Sequence, residues 1–216
     1  MKKDQFLVVG ISPGNGYFKQ EVIDKILDYT LSHYENIGIF IPDVPAISTY
    51  IALGYPENIA RAKKAIPQGN NFKNRVLNSI EKNDIDIRRV TIFDWQKEGV
   101  EDNPAYRVKF DYLKNLYSTN KEFEKDINEA TQQVLVNNPF KKKEIVLSDI
   151  IIGTHYILSE FAFMLFLQEV KNEYKFISYG YHKPWDVWEK FIIGVYDGLE
   201  KPSLKFVQLP DFSGML

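Results

Sequence analysis

Short, densely apolar runs alternate along this chain with longer stretches in which apolar residues return every three or four positions. Residues 5–11, QFLVVGI, are apolar nearly throughout and β-branched in the middle, which predicts a buried strand. The next stretch, KQEVIDKILDYTLSHYEN, places Val22, Ile26, Leu27, Tyr29 and Leu31 mostly on one helical face. NIGIFIPD predicts a second strand, stopped by Pro42. A helical stretch follows from about Pro45 to Ala65. Pro67 and Gly69 are expected to break it before NFKNRVLNSIEKN resumes a helix.

IRRVTIFDW predicts a third strand, and NPAYRVKFDYLKNLYSTN and KEFEKDINEATQQVLVNN are helical by period. LSDIIIGTHYILSEFAFMLFLQEV predicts a long helix, apolar almost all round and so buried on most sides, with Ser148 as its N-cap. YKFISYGYHKPW reads as a further strand and turn, and SLKFVQLP as the last strand.

Strands alternating with helices predict an α/β fold, a mostly parallel sheet flanked by helices on both faces. No repeat, linker or low-complexity tract divides the chain, so residues 1–216 are expected to form one domain. In such sheets ligands bind beyond the carboxyl ends of the strands. That rule brings the Ser12 loop, the Pro42–Asp43 turn and the end of VTIFDW to one rim.

Composition narrows the function. With 44% hydrophobic and 26% charged residues the chain is globular in character. It has no cysteine and three scattered histidines, His33, His155 and His182, so a disulfide framework or a zinc cluster is not expected. A formal net charge of −2 means that any polyanion must be met by a local patch. The N-terminus lacks a secretory pattern, and no apolar run was expected to reach the ~20 residues that span a membrane. The expected location is cytoplasmic.

The loop after the first strand, GISPGNGYF, carries the first candidate chemistry. Gly10, Gly14 and Gly16 have the wrong spacing for a dinucleotide fingerprint or a P-loop. GISPG does match the G-x-S-x-G nucleophile elbow, and a hydrolase triad of Ser12, Asp149 and His155 can be drawn in the right chain order. A plain strand-to-helix turn, with Ser12 capping backbone groups, is the other reading. Further along, HYILSEFAF sets Tyr156 and Glu160 four residues apart on one helical face. A buried carboxylate needs a partner, either a substrate cation or a structural hydrogen-bond network. SYGYHKPW adds Tyr181 and His182 at a strand end.

In this order and spacing, GISPGNGYF, NPAYR, VLVNNP, YILSE and GYHKP resemble the cyclodipeptide synthases over essentially the whole chain. Those enzymes join the amino acids of two aminoacyl-tRNAs into a cyclic dipeptide. The resemblance implies a Rossmann-like fold similar to the catalytic domain of class I tyrosyl- and tryptophanyl-tRNA synthetases. It implies that Ser12 is the nucleophile that accepts the first aminoacyl group, and that Asn15 marks the asparagine-containing subgroup. Tyr156 and Glu160 would hold the substrate α-amino group, with Tyr181 and His182 beside the nucleophile. Tyr106 and Asn137 match further active-site positions. By position the pocket for the first side chain would be lined by Val8, Gly10, Phe40, Phe93, Phe163 and Tyr179, which favours an apolar residue such as leucine.

An aminoacyl-tRNA is already an activated ester, so the implied transfer needs no ATP, metal or other cofactor. The tRNA-binding patch implied by position is Arg61, Lys63, Lys64, Lys73 and Arg75, sparser than the family's usual basic helix and expected to be interrupted by Pro67 and Gly69. Lys141–Lys143 is a rival patch. The partners are then two aminoacyl-tRNAs and no membrane, with a monomer expected and downstream cyclodipeptide-modifying enzymes possible. A serine esterase using the GISPG elbow and a non-catalytic tRNA-binding module are the alternatives.

Overall fold

The computed structural model describes residues 4–95 and 100–215. Five strands form one sheet: β1 (Gln5–Gly10), β2 (Ile37–Ile41), β3 (Val90–Asp94), β4 (Phe176–Tyr181) and β5 (Leu204–Gln208). They lie in the order β3-β2-β1-β4-β5 and all pair in parallel. Both faces of the central strands are buried, which is why β1 and β2 read as unbroken apolar runs.

Side-chain alternation divides the core between the two faces. Phe6 and Val8 of β1, Phe40 of β2 and Tyr179 of β4 enter one cluster. Leu7, Val9, Ile39 and Ile41 enter the other. The second face is covered by α1 (Gln20–His33) and α4 (Ile66–Lys82), which pack on each other. The first is covered by α5 (Pro104–Thr119), α6 (Lys121–Val136), α7 (Leu147–Val170) and α8 (Asp186–Ile193). The short α2 (Ala46–Ala52) packs on α7 and builds a third cluster with Tyr50, Leu53 and Leu135.

Three local expectations are corrected. Pro67 and Gly69 do not break the chain: α3 (Glu57–Ile59) runs through a π-helical segment, Ala60–Ala65, directly into α4. The Ile66 N–H reaches back five residues to the Arg61 carbonyl. This wider turn accommodates a proline, which has no N–H and would crowd the carbonyl four residues earlier. Gly69 lies buried where a β-carbon would overlap Asp43, so it permits a close approach instead of ending the helix.

The N-cap of α7 is Val146 in place of Ser148. Asp149 accepts the Val146 N–H at 3.1 Å and so satisfies a donor that the helix leaves open. Finally, α7 has 24 residues and is apolar enough to cross a membrane by length and composition, although 72% of its most apolar window is buried inside the fold. It is the central core helix. The short α8 follows the β4 turn and was not marked by the sequence pattern.

Chain order reverses between β1 and β4, since β2 and β3 lie on one side of β1, and β4 and β5 on the other. Ligand crevices form at such switch points. The loop after β1 carries Ser12, and the end of β4 carries Tyr181 followed by His182.

Candidate active site

The Ser12 Oγ lies 3.3 Å from the Tyr181 hydroxyl. Asn15 donates its Nδ2–H to the same phenolic oxygen at 3.1 Å, while its Oδ1 accepts the Tyr17 N–H at 3.0 Å. The Asn15 N–H closes the turn on the Ser12 carbonyl at 3.1 Å. Gly14, at φ +86°, supplies the left-handed residue this turn requires, and a β-carbon there would meet the Tyr50 hydroxyl. Ser12 is thus fixed by a three-residue polar chain, Asn15 to Tyr181 to Ser12, spanning two strand ends.

Tyr156 and Glu160 come from α7, which crosses beneath this loop. Burial pushes the Glu160 carboxyl up to about 8, even though the Tyr156 hydroxyl favours its charged form. Tyr156, Tyr179 and Tyr181 are all raised above the ordinary phenol range, chiefly by burial, so each is a neutral phenol at physiological pH. The buried Tyr156 hydroxyl makes no well-formed hydrogen bond among the described residues, although the Glu160 carboxyl and the Ser12 hydroxyl lie close enough to act on it. Besides burial, the Glu160 carboxyl raises its pKa most, the Ser12 hydroxyl lowers it, and Tyr179 and Tyr181 add smaller upward pushes.

Two cavities meet at Ser12. An inner one of about 20 Å³ is walled by Glu160, Tyr179, Trp188 and Phe206. An outer cleft of about 580 Å³ runs past Asn15, Tyr50, Asn137 and Asp211. Ser12, Tyr156, Tyr181, Lys183 and Trp185 line both. An amine held against Glu160 in the inner cavity therefore sits beside a hydroxyl that also faces the large cleft.

A family model described as cyclodipeptide synthase matches residues 1–196. The chain belongs to the cyclodipeptide synthase family. These are aminoacyl-tRNA-dependent acyltransferases. The cyclo(L-leucyl-L-leucyl) synthase of Bacillus subtilis (strain 168) is 18% identical over 221 residues, covering 100% of this chain and 86% of that protein. A cyclodipeptide synthase from Bacillus thermoamylovorans superposes with a TM-score of 0.82 at 20% identity, covering 96% of this chain and 89% of that one. The Mycobacterium tuberculosis protein Rv2275, whose structure relates cyclodipeptide synthetases to type I tRNA synthetases, gives 0.77 at 17%, over 94% and 84%. These likenesses establish the Rossmann-like fold expected from the sequence.

Within this synthase fold the remaining expected residues fall in different places. His182 is stacked on Tyr17, with ring centroids 3.8 Å apart and planes 13° from parallel. Burial, reinforced by the Lys183 charge, pushes its imidazole down to about 4. It is neutral at pH 7, and its buried Nδ1 has no partner among the described residues. Gly10 has no room for a side chain, because a β-carbon would overlap the Tyr179 hydroxyl.

Of the six residues expected around the first side chain, only Tyr179 lines a cavity beside Ser12. Phe40 and Phe163 stack on each other at 4.2 Å, Phe93 meets Phe163 edge-on at 5.2 Å, and Val8 is fully buried among them. This space is filled by core packing. Tyr106 is likewise a core residue, edge-on to Trp95 at 5.2 Å, and lines neither cavity. Asn137 stands on the wall of the outer cleft.

The drawn hydrolase triad does not assemble. Asp149 is held by Lys143 at 2.6 Å, and His155 contacts Ser159 at 3.3 Å and the Phe110 ring. Six residues apart on one helix, the two face different ways.

Among the expected tRNA contacts, Arg61 and Lys63 are exposed on the π-helical segment. Arg75 instead braces the nucleophile loop, donating to the Phe18 carbonyl at 2.7 Å and lying over the Phe72 ring. Lys73 stands half-buried on α4. Lys64 and Lys142 approach the Tyr55 ring at 5.0 and 4.0 Å. The two rival basic stretches therefore converge on one surface. Sequence reasoning missed Lys183, Trp185, Trp188 and Phe206, all on the wall of the inner cavity. The only signal was position, since Lys183 and Trp185 directly follow the GYH motif.

Proposed function

We propose that this protein forms a cyclic dipeptide from two aminoacyl-tRNAs by a two-step transfer through an aminoacyl ester on Ser12. The observation that carries this reading is the meeting of the two cavities at Ser12, with Glu160 and the buried Tyr156 hydroxyl in the inner one.

In the first step the Ser12 oxygen attacks the ester carbonyl of an aminoacyl-tRNA. The proton passes from Ser12 along Tyr181 to the departing ribose oxygen, and the tRNA leaves. Tyr181 is suited to relay rather than to abstract, because it is held neutral by burial and oriented by Asn15. His182 is too weak a base at its depressed value, and its role is to pack against Tyr17. Loop N–H groups beside the glycines would receive the developing oxyanion.

In the second step the amine of the second aminoacyl-tRNA attacks the Ser12 ester, forming a dipeptidyl-tRNA and freeing Ser12. The first residue's amine, held by Tyr156 and Glu160, then attacks the remaining ester and closes the ring. In its ionised form Glu160 takes the attacking ammonium's proton and returns it to the departing oxygen, that of Ser12 in the transfer and that of the ribose in ring closure. A value of about 8 keeps both forms accessible at physiological pH.

The outer cleft, about 580 Å³ and walled in part by Tyr50, Val134, Leu135, Ile157 and Trp185, has the room and the apolar lining for a side chain such as leucine, so apolar amino acids are the proposed substrates. Asn15 in contact with Tyr181 supports placing the chain in the asparagine-containing subgroup. Arg61, Lys63, Lys64 and Lys142 form the proposed tRNA surface, with Lys73 beside it. We further propose a cytoplasmic monomer whose product, lacking free amine and carboxylate, passes to cyclodipeptide-modifying enzymes. Expression in bacteria followed by mass analysis of the medium tests the reading. Cyclic dipeptides dependent on Ser12 support it, and their absence counts against it.

A further inference from the structure

The outer cleft has a wall that the family match does not cover. The match ends at residue 196, while Asp211 and Ser213 line the cleft beside the Ser12 loop. They lie on a strap, residues 209–213, that leaves β5 and returns across the strand ends. Its two anchors are buried: Leu209 donates its N–H to the Tyr181 carbonyl at 2.9 Å, and Phe212 packs against Tyr29.

Between these anchors one side chain holds the strap to the catalytic loop. The Tyr17 hydroxyl accepts the Phe212 N–H at 3.2 Å and donates to the Pro210 carbonyl at 3.5 Å. The same residue stacks on His182, and its own N–H is held by Asn15, the partner of Tyr181. The Asp211 carboxylate accepts both the N–H and the hydroxyl of Ser213, which fixes it on the cleft wall.

We propose that this strap is a specificity-determining wall of the cleft that receives the second aminoacyl group, and that Tyr17 is the positioning residue that clasps it. The inference rests on the proposed two-substrate reading of the site. The inner cavity, at about 20 Å³, admits no more than a small group such as the amine held against Glu160. The incoming aminoacyl end must then use the outer cleft, where, among the described residues, the strap is the wall held by side-chain-to-main-chain bonds from Tyr17 of the Ser12 loop.

Tyr17→Phe keeps the ring stack and removes both clasping bonds. The test offers the variant a mixture of charged tRNAs and reads the ratio of cyclic products, a quantity that the amount of folded enzyme does not move. We expect that ratio to shift about threefold to tenfold relative to the unaltered enzyme, the scale of one or two net hydrogen bonds. Exchange of the Phe212 amide should accelerate by a similar factor. Asp211→Asn, which leaves the clasp in place, should shift the product ratio without accelerating that exchange. An unchanged ratio in both variants, with the Ser12 ester still formed, overturns the proposal. Failure of the unaltered enzyme to form that ester overturns instead the reading of Ser12.

Discussion

Ser12 and Tyr181 lie 169 residues apart in sequence and meet at 3.3 Å across the ends of β1 and β4. The contact exists because these strands are neighbours at the point where chain order reverses, with Val9 opposite Gly180. Asn15 holds the phenol from the other side, so the Tyr181 oxygen has one fixed donor and one fixed partner in Ser12. Tyr181→Phe should slow Ser12 acylation by about 10²-fold, the ordinary scale for a positioned proton-transfer group. Asn15→Ala, which only loosens the phenol, should cost less. Single-turnover acylation followed by quenched-flow measurement separates the two.

Glu160 links the site to stability. An unfolded glutamate ionises near 4.5, whereas the buried carboxyl holds its proton up to about 8. Between those values the unfolded chain releases a proton that the folded chain retains, so folding weakens as pH rises through this window. The contribution is fully present below about 4.5 and lost by about 8. Glu160→Gln should therefore be more stable than the unaltered protein at pH 8, by about 2–5 kcal/mol at full ionisation. The difference should shrink toward pH 5. Urea unfolding of both proteins across that range measures it, and a difference that does not vary with pH would contradict the burial of an uncompensated carboxyl.

Gly10 and Tyr179 are diagonal neighbours across β1 and β4, so that a β-carbon at Gly10 would meet the Tyr179 hydroxyl, and Tyr179 is itself stacked on Trp188 at 4.3 Å. Trp188 blocks one face of the ring, so it can yield only into the inner cavity that it lines. Gly10→Ala should cost about 1–3 kcal/mol through overpacking. It should also displace the Tyr179 wall of the inner cavity, so that cyclic product falls even in the fraction that remains folded. Thermal melting and product yield per folded molecule report the two effects.

Lys64 and Lys142 approach the same ring from two separate segments. If both meet tRNA phosphates, the double variant Lys64→Ala/Lys142→Ala should raise the KM for aminoacyl-tRNA. It should also flatten the dependence of log KM on log salt by about 0.7–0.9 per lost contact. Equal slopes for both proteins would move the tRNA surface elsewhere.

Much of the fold was readable because burial leaves a simple mark. β1 and β2, covered on both faces, are unbroken apolar runs, and α7 begins and ends at the residues where its apolar pattern does. The sequence reading failed where a local rule met a tertiary accommodation. Pro67 signals a break, but a π-helical turn one step upstream absorbs it. Asp149 caps α7 from inside the helix, so the serine at its start was the more visible but wrong choice. At the site, Ser12, Tyr156, Glu160 and Tyr181 were found from motif and spacing, and the structure gathers all four. Aromatic residues could not be sorted in the same way. Periodicity marks Phe40, Phe163 and Trp188 alike as apolar, and only packing shows that the first two stack on each other while the third faces the cavity.

The central claim is a covalent aminoacyl ester on Ser12, and intact-protein mass spectrometry tests it most directly. After brief incubation with a single charged tRNA and acid quenching, the unaltered protein should gain the mass of one aminoacyl residue, and Ser12→Ala should gain none. An unaltered protein that makes cyclic product without any adduct, or an equal adduct in Ser12→Ala, would contradict the account.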